Sequence, residues 1–432
     1  MEMLSLFGLF VGLACFIFMS IKRFPTFLSA AVAAMVTMAF AMANPYTALT
    51  GTFMAGMSGF LKTYFLLFVV SGLFGKVMDQ SYSVRRIALT LVKVTKGNEL
   101  LSILVLPVFY TLMSYVGISG FVIAFTVVFI ARDLLETLDL PMIFYPYGAA
   151  GGIHPGYAMA GSLAASNVAA TEGFGVAMGS GVILGFVNMI VYYIVLVVLI
   201  KLDIKKYRKA GEGFLPSGAP LIAANAGKKV PTEEEMPSFI VAIIPMIVPI
   251  VCIMAFKMGA VPSLLVAILV CVLLNLKKFN NFPATLTEGL NSGVMPVVGV
   301  AAANGFATCL RGTAGFAMIH TLLSSLPGLV PPIVMMTGMC FVVGSNTSFL
   351  PAFIDIFREW MLPLGLSAEA CARLIAIAGY SNMPPHNPGV INGITLSKLP
   401  FGKASLQYLK ASLIPGTVSL IVCVFLASMG IC

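Results

Sequence analysis

Apolar segments long enough to cross a membrane follow one another along almost the whole chain. The first runs from residue 4 to 21 and the last from 406 to 430, and only 9% of the 432 residues are charged. A soluble domain would carry about 25% charged residues. In lipid the backbone must satisfy its own hydrogen bonds, so only helices and closed barrels can span a bilayer. Since apolar runs of about 20 residues have the length of spanning helices, the sequence predicts an all-α polytopic membrane protein.

Two of the apolar segments are interrupted by proline and glycine. Ile153-His154-Pro155-Gly156 in the first half has a counterpart in Pro385-His386-Asn387-Pro388-Gly389 in the second. Proline removes a backbone donor and glycine removes conformational restraint, so together they break a helix. Matching breaks in two halves of a membrane protein indicate the substrate site of a secondary transporter.

A hydrophilic stretch divides the chain into two units of similar plan. It covers residues 202–237 and is predicted to be a cytoplasmic linker between an N-terminal transmembrane repeat (1–201) and a C-terminal one (238–432). An offset of 233 residues aligns Gly56 with Gly289, Gly72 with Gly305 and Pro155 with Pro388. Each repeat is predicted to contain a re-entrant hairpin, at 100–131 and 329–360, followed by a broken transmembrane helix, at 140–170 and 365–397.

The net charge of +9 is distributed over short loops. This distribution is the positive-inside signature of a membrane protein, so we expect a lipid environment and no nucleic-acid partner. If each hairpin starts and finishes on the same side of the membrane, most basic clusters lie on one side. The N-terminus then lies outside. The repeats are then inverted, in a multi-pass protein of the bacterial plasma (inner) membrane. The clusters are Lys22-Arg23, Arg85-Arg86, Lys201 to Lys209, Lys228-Lys229 and Lys277-Lys278.

Polar residues at the hairpin turns and at the breaks form the predicted substrate site. Helix N-termini at these places suit a carboxylate, and both breaks lack acidic residues, which favours an anion held by neutral donors. The hydroxyl and amide oxygens of Ser345, Asn346 and Thr347 also suit a sodium ion. The predicted substrate-binding residues are Ser114, Gly117, Ser119, His154, Asn167, Gly344, Ser345, Asn346, Thr347, Ser381, Asn382, His386 and Asn387.

The ionisable residues near the site have more than one interpretation. His154 and His386 are either helix-end histidines bonded to a carbonyl or titratable contacts to substrate or proton. Arg311 and Arg373 lie near predicted outer boundaries and are interpreted as snorkelling residues. No catalytic or nucleotide-binding motif is present, and the 8 cysteines have no paired spacing. We therefore predict no enzyme activity, no cofactor and no dedicated metal site apart from the sodium candidate.

At these residues the chain resembles the gluconate:proton symporter family, within the ion-transporter superfamily of carboxylate permeases. The stretch from Ile153 through Ala160-Gly161 is similar to that family's Pro-Pro-His/Thr-Pro-Gly-Pro…Ala-Ala-Gly stretch, and Arg85-Arg86 also matches. Ser345-Asn346-Thr347 matches the Ser-Asn-Thr motif of hairpin tips in the superfamily. The run from Gly344 to Ser348 resembles the Gly-Ser-Asp-Thr-Ser run of lactate permeases.

The resemblance implies symport of a small organic carboxylate, coupled to H+ or Na+, and a homodimer. Two departures concern the substrate. Ser114-Tyr115-Val116-Gly117 lacks the acid of the family's aromatic-Asp-Val-Gly-Phe run, and Ser381-Asn382-Met383-Pro384-Pro385 replaces its Ser-His-Val-Asn-Asp run. Both favour a smaller or less hydroxylated carboxylate than gluconate. A carboxylate exchanger and a passive anion channel are the alternatives.

Overall fold

The computed structural model describes residues 1–22, 24–95, 97–224, 232–344 and 346–432. All regular structure in these ranges is helical, which confirms the predicted all-α class. Five helical stretches are long and apolar enough to cross a membrane, and several shorter apolar helices accompany them. The five are Glu2–Ile21, Pro45–Gln80, Val182–Ala210, Phe282–Arg311 and Phe401–Ser428.

In the described ranges eleven α-helices precede residue 238 and nine follow it. Those of the first half are α1 (Glu2–Ile21), α2 (Thr26–Phe40), α3 (Pro45–Ala48), α4 (Met54–Gln80), α5 (Ser83–Val94), α6 (Glu99–Tyr115), α7 (Gly120–Thr137), α8 (Pro146–Ala158), α9 (Ala165–Phe174), α10 (Val182–Ala210) and α11 (Ala219–Ala224). Those of the second half are α12 (Phe239–Met254), α13 (Ala260–Leu274), α14 (Phe282–Arg311), α15 (Ala314–Ser324), α16 (Val330–Val343), α17 (Asn346–Met361), α18 (Ala368–Gly379), α19 (Pro388–Ser397) and α20 (Phe401–Ser428). A π-helical turn at Leu49–Phe53 joins α3 to α4.

The long helices α4 and α14 pack antiparallel at the centre of the molecule through glycines. A Cβ on Gly56 would lie 3.0 Å from the Cα of Gly305, and a Cβ on Gly72 would lie 2.9 Å from the carbonyl oxygen of Gly289. A Cβ on Gly293 would lie 2.4 Å from the carbonyl oxygen of Phe68. Because the glycines carry no side chain, the two backbones approach to distances that any other residue would prevent.

Eight contacts between the two halves form four pairs that match in helix order. Helix α2 packs on α14, and α13 packs on α4; α1 packs on α15, and α12 packs on α5. The later helices follow the same rule, since α7 contacts α19 and α17 contacts α9, while α8 contacts α20 and α18 contacts α10. The contacts of α9 with α18 and of α1 with α16 have no partner of comparable extent.

The helices α6 and α7 form a hairpin whose two open ends meet at Arg208, near the end of α10. The Arg208 guanidinium donates to Glu99 Oε1 at the start of α6 at 2.6 Å, and to the Leu138 and Asp139 carbonyl oxygens just after α7 at 2.6 and 3.0 Å. In the second half, α16 and α17 form the corresponding hairpin. There the indole N–H of Trp360, near the end of α17, donates at 3.0 Å to Ser324 Oγ, which precedes α16.

The first helix break lies after the His-Pro-Gly motif and not at it. Pro155 is inside α8, which continues to Ala158, and the chain leaves the helix from Met159 to Ala164. Pro388, by contrast, is the first residue of α19. The prediction that Pro155 and Pro388 occupy equivalent places is therefore wrong. A proline at the C-terminal end of a short helix has lost only one backbone hydrogen bond, and close packing of α8 on α6 stabilises the last turn.

Helix α10 extends beyond the predicted boundary at residue 201 and ends at Ala210. Its last turns are polar in sequence but are held by tertiary contacts. Asp203 is buried and accepts hydrogen bonds from Tyr147, Gln407 and Lys410 at 2.7, 2.8 and 2.6 Å. These contacts with α8 and α20 stabilise helix where composition alone indicated a linker.

Candidate functional site

The turns of both hairpins and the second helix break surround one cavity of about 620 Å³ at the centre of the molecule. Residues of the first break line it too, among them Leu163 and Ala164. Eight of the predicted site residues lie in its wall: Gly117, Ser119, Gly344, Asn346, Thr347, Asn382, His386 and Asn387. The fold therefore brings polar segments that are far apart in the sequence to a single space.

Four helices begin at the wall of this cavity. Their first residues are Gly120 (α7), Ala165 (α9), Asn346 (α17) and Pro388 (α19), and all four line it. The first backbone N–H groups of a helix have no intrahelical acceptor and carry a partial positive charge. These helix starts therefore contribute partial positive charge to the wall, to which the described residues add no cationic side chain.

Amide donors in the wall are left without hydrogen-bond partners. Asn346 Nδ2 and Asn392 Nδ2 are buried and contact no acceptor in the described ranges. The other side-chain atom of Asn346, Oδ1, accepts a hydrogen bond from the Thr347 hydroxyl at 3.1 Å. A buried donor that is left unpaired costs about 1–3 kcal/mol. Such donors indicate a ligand that supplies acceptors.

The second hairpin and the second break are tied together by two hydrogen bonds. Asn387 Nδ2 donates to the Gly344 carbonyl oxygen at 2.6 Å, while Asn387 Oδ1 accepts from the Gly389 N–H at 2.8 Å and so caps α19. His386 Nε2 lies 2.9 Å from the Val342 carbonyl oxygen. Because a carbonyl can only accept, this nitrogen carries the proton. His386 thus has the geometry of a carbonyl-bonded histidine while it also lines the cavity.

The cavity wall contains no formally charged side chain among the described residues. Asp, Glu, Lys and Arg are absent from its lining, and His386 is the histidine in it. Helix N-termini, carboxamides and hydroxyls are left as the groups that contact a ligand. This donor set fits a small anion better than a cation, because a cationic substrate would need a carboxylate or several free carbonyl oxygens.

Four predicted site residues lie outside the cavity wall. Ser114 packs against Gly156, and Ser381 donates to the Ala378 carbonyl oxygen at 2.8 Å. His154 Nε2 is 2.9 Å from Asn188 Oδ1, and its ring stacks on Tyr192 with centroids 4.5 Å apart. The remaining one is Asn167, which contacts an arginine of the second half. Ser345 lies outside the described residues.

Arg373 is fully buried, so its interpretation as a snorkelling residue is wrong. It lies on α18, and its guanidinium donates to the Ala158 carbonyl oxygen at 2.7 Å, to Asn167 Oδ1 at 2.8 Å and to the Ser180 carbonyl oxygen at 2.7 Å. Ala158 ends α8 and Asn167 belongs to α9. The arginine therefore holds both sides of the first break from the second half of the chain.

Sequence reasoning missed the tyrosines in the cavity wall, which are Tyr110, Tyr157, Tyr380 and Tyr408. Tyr110 of α6 and Tyr408 of α20 are fully buried and line the cavity. Each sits inside an apolar helix, where a tyrosine looks like ordinary core packing. The signal that marks them is three-dimensional, because it depends on which helices surround each tyrosine in the fold.

This architecture defines a class, a helical membrane protein whose internal cavity is lined by helix N-termini and neutral polar groups, as in secondary transporters. A family model described as GntP family permease matches residues 4–274, and the chain belongs to this family. The resemblance found in the sequence is thereby confirmed, and the protein is a membrane transporter.

Two known proteins are similar to the chain over most of its length. The uncharacterized transporter YxjC of Bacillus subtilis (strain 168) is 23% identical over 394 residues, which cover 80% of this chain and 82% of that protein. The YdaH transporter of Alcanivorax borkumensis, whose crystal structure is described as having an unusual topology, matches with a TM-score of 0.52 over 88% of each chain. At 14% identity this likeness concerns the fold alone.

Proposed function

We propose that this permease imports a small organic carboxylate, such as a sugar acid or hydroxy acid, by symport with H+ or Na+. The observation that carries the proposal is the unpaired Nδ2 of Asn346 at the N-terminus of α17, in a cavity wall without acidic groups. A carboxylate would accept from this amide and from the first N–H groups of α17. Hydrogen bonds to a charged group are worth about 1.5–3 kcal/mol.

The proposed architecture is a pair of inverted repeats, 1–201 and 238–432, joined by the linker 202–237. The four pairs of matching helix contacts support it, because a two-fold relation between the halves makes a contact occur twice. The antiparallel packing of α4 on α14 supports the inversion. Gly56 meets Gly305 there, and Gly72 meets Gly289, so positions equivalent by the offset of 233 residues exchange places.

The two hairpins are proposed to re-enter the membrane from opposite sides. Arg208 contacts both ends of the first hairpin, which supports a start and a finish on one side. The hydrogen bond between Trp360 and Ser324 supports the same for the second hairpin. With 17 residues in α6 and 14 in α16, helices that rise 1.5 Å per residue reach only part of the way across a core of about 30 Å.

The linker side of the protein is proposed to face the cytoplasm of a bacterium, across its plasma membrane. Basic side chains gather there and hold the end of the linker. Arg86 donates to the Pro237 carbonyl oxygen at 2.6 Å, and Lys278 donates to the Glu235 carbonyl oxygen at 2.5 Å. An excess of such residues on one side is the positive-inside pattern.

Transport into proteoliposomes tests the function. A panel of labelled carboxylates is offered under an imposed proton gradient and then under a sodium gradient. Accumulation of a carboxylate under one gradient establishes symport and identifies the coupling ion. Equilibration without accumulation would instead establish a channel, and uptake that needs a carboxylate inside the liposomes would establish an exchanger.

The Asn346→Ala variant tests the site in the same assay. Loss of one donor to a charged group is expected to lower the initial uptake rate by roughly tenfold or more. The matched control is Asn280→Ala, which changes an exposed asparagine outside the cavity. If Asn346→Ala takes up substrate at the rate of the control, Asn346 does not bind the substrate.

A further inference from the structure

Two cysteines of the second half lie close together at the face of the protein opposite the linker. Cys371 is in the first turn of α18 and is buried, whereas Cys432 follows α20 and is partly exposed. The Cys371 backbone N–H donates to the Ser367 carbonyl oxygen at 3.0 Å, so these two residues stand one turn apart on one side of the helix. The Cys432 thiol neighbours both the Ser367 hydroxyl and the Cys371 thiol.

Helix packing brings the end of α20 to the start of α18. The contacts of Asp203 described above join the end of α10 to the start of α20, and the Cys423 thiol, late in α20, lies 3.6 Å from the Leu184 carbonyl oxygen at the start of α10. The two helices are therefore antiparallel. A Cβ on Gly181, just before α10, would lie 2.8 Å from the Cβ of Arg373, so the first turns of α18 occupy the same end.

The chain turns back at Gly430 directly after α20. This glycine has a φ of +79°, the Gly430 N–H donates to the Ala427 carbonyl oxygen at 3.0 Å, and the Ile431 N–H donates to the Leu426 carbonyl oxygen at 3.1 Å. Such a glycine-capped helix end reverses the direction of the chain. As a result Cys432 packs against the buried core and does not extend into solvent.

We propose that Cys371 and Cys432 form a disulfide bond that ties the end of α20 to α18. The proposal goes beyond the proposed function and rests on the proposed orientation, in which the face opposite the linker is outside the cytoplasm. Disulfides form and persist at cell surfaces and in the bacterial periplasm. The bond would stabilise the turn of α18 that carries Arg373, and through it the first helix break.

The oxidant is a protein disulfide of an extracytoplasmic thiol oxidase. The Cys432 thiolate is the accessible one, and it attacks that disulfide to form a mixed disulfide while one oxidase thiol leaves. Cys371 then attacks the Cys432 sulfur, the bond between the two cysteines forms, and the second oxidase thiol leaves. The two cysteines lose two protons and two electrons, and the oxidase disulfide takes them up as it becomes a dithiol.

Peptide mapping of the wild type tests the bond directly. Cells are treated with N-ethylmaleimide before lysis, and the purified protein is digested without reductant and analysed by mass spectrometry. We expect a linked peptide pair that contains Cys371 and Cys432. After reduction and incubation with oxidised glutathione, the denatured protein should again show two fewer reactive thiols than the 8 of the sequence.

Thermal unfolding in detergent tests the effect of the bond. Dithiothreitol is expected to lower the unfolding temperature of the oxidised wild type by roughly 3 °C, because a disulfide restricts the unfolded chain. Cys371→Ser and Cys432→Ser should show no such shift. The matched control is Cys15→Ser, which removes the other partly accessible cysteine, whose thiol lies 3.9 Å from Met19 Sδ. It should keep both the linked peptides and the shift.

Three outcomes overturn the proposal. Alkylation of both thiols in the maleimide-treated cells would show that the native protein has no such bond, even if oxidised glutathione forms it in detergent. A loss of two thiols that persists in Cys432→Ser would assign the oxidation to other cysteines. A reductant-sensitive species of twice the mass would show a bond between two copies. The mapping needs no variant and no uptake, so it is decisive even where a variant does not fold, and its failure leaves the proposed function intact.

Discussion

Arg373 shows how one side chain can hold a broken helix in shape. Its guanidinium is fully buried, and its three acceptors are two backbone carbonyl oxygens and one carboxamide oxygen. The last carbonyls of a helix have no intrahelical donor, and a cation at that end is favourable. Since Ala158 ends α8, Arg373 supplies the donor that the break removes.

We expect Arg373→Met to destabilise the protein by about 3 kcal/mol or more, because two buried acceptors and one partly buried acceptor lose their donor. Arg311→Met is the control, since Arg311 is partly exposed and loses one hydrogen bond, to the Ala352 carbonyl oxygen, and a partly exposed ion pair with Asp355 at 3.8 Å. Its cost should stay below about 1 kcal/mol. Unfolding of the purified variants in detergent measures both. Equal stability of the two variants would show that Arg373 does not support the break.

The sequence indicated polar turns and breaks at residue level but not the pairing of single side chains. Asn346 and His386 were predicted because they stand beside glycine or proline in apolar segments. Arg373 and Tyr110 were missed as site residues since each is surrounded in sequence by apolar or small residues. Whether such a side chain is paired, or faces a cavity, depends on helices that are distant in the chain.

At the scale of elements, the glycines of α4 and α14 determine how closely the two halves approach. We expect Gly293→Val to destabilise the protein by about 1–3 kcal/mol, because the added side chain would meet the backbone of Phe68 and Val69. Gly59→Ala is the matched control on α4, since a Cβ there meets nothing within 4 Å. That variant should be stabilised by about 0.5–1 kcal/mol, because alanine favours helix. If unfolding in detergent shows that Gly59→Ala is less stable than Gly293→Val, the close packing of α4 on α14 is contradicted.

Element order was predictable from the sequence, and some element boundaries were not. The periodic apolar segments indicated both hairpins and both broken helices within a few residues of where they lie. The end of α10 and the position of the first break were missed, because both depend on contacts of Asp203 and of the α8 glycines with other helices. Such contacts override local composition.

At the scale of the whole molecule, the proposed inverted topology predicts which ends are accessible from each side. Single cysteines are introduced at Lys209 and Glu136 on the linker side, and at Lys257 and Leu364 on the opposite side. All four positions are exposed. A membrane-impermeant maleimide added to intact cells should label the second pair only. Labelling of Glu136→Cys from outside would mean that the first hairpin crosses the membrane.

The background for that experiment needs few changes. Six of the eight native cysteines are buried, and only Cys15 and Cys432 are partly accessible. Replacing these two by serine should leave a protein that reacts slowly with the reagent. The same background without an introduced cysteine is the control, and strong labelling of it would show that the buried cysteines become exposed.

A cavity wall without formal charge has a consequence for energy balance across the membrane. Moving one ion from water into a low-dielectric interior costs several kcal/mol even after relaxation. A helix N-terminus returns up to about 2 kcal/mol in a favourable geometry. An anion that arrived alone would depend entirely on such partial charges, whereas an anion that arrives with a cation enters as a neutral pair. A wall of this kind would therefore require the counter-ion to be transported together with the anion. The protein would then not have to keep a permanent charge buried between transport cycles.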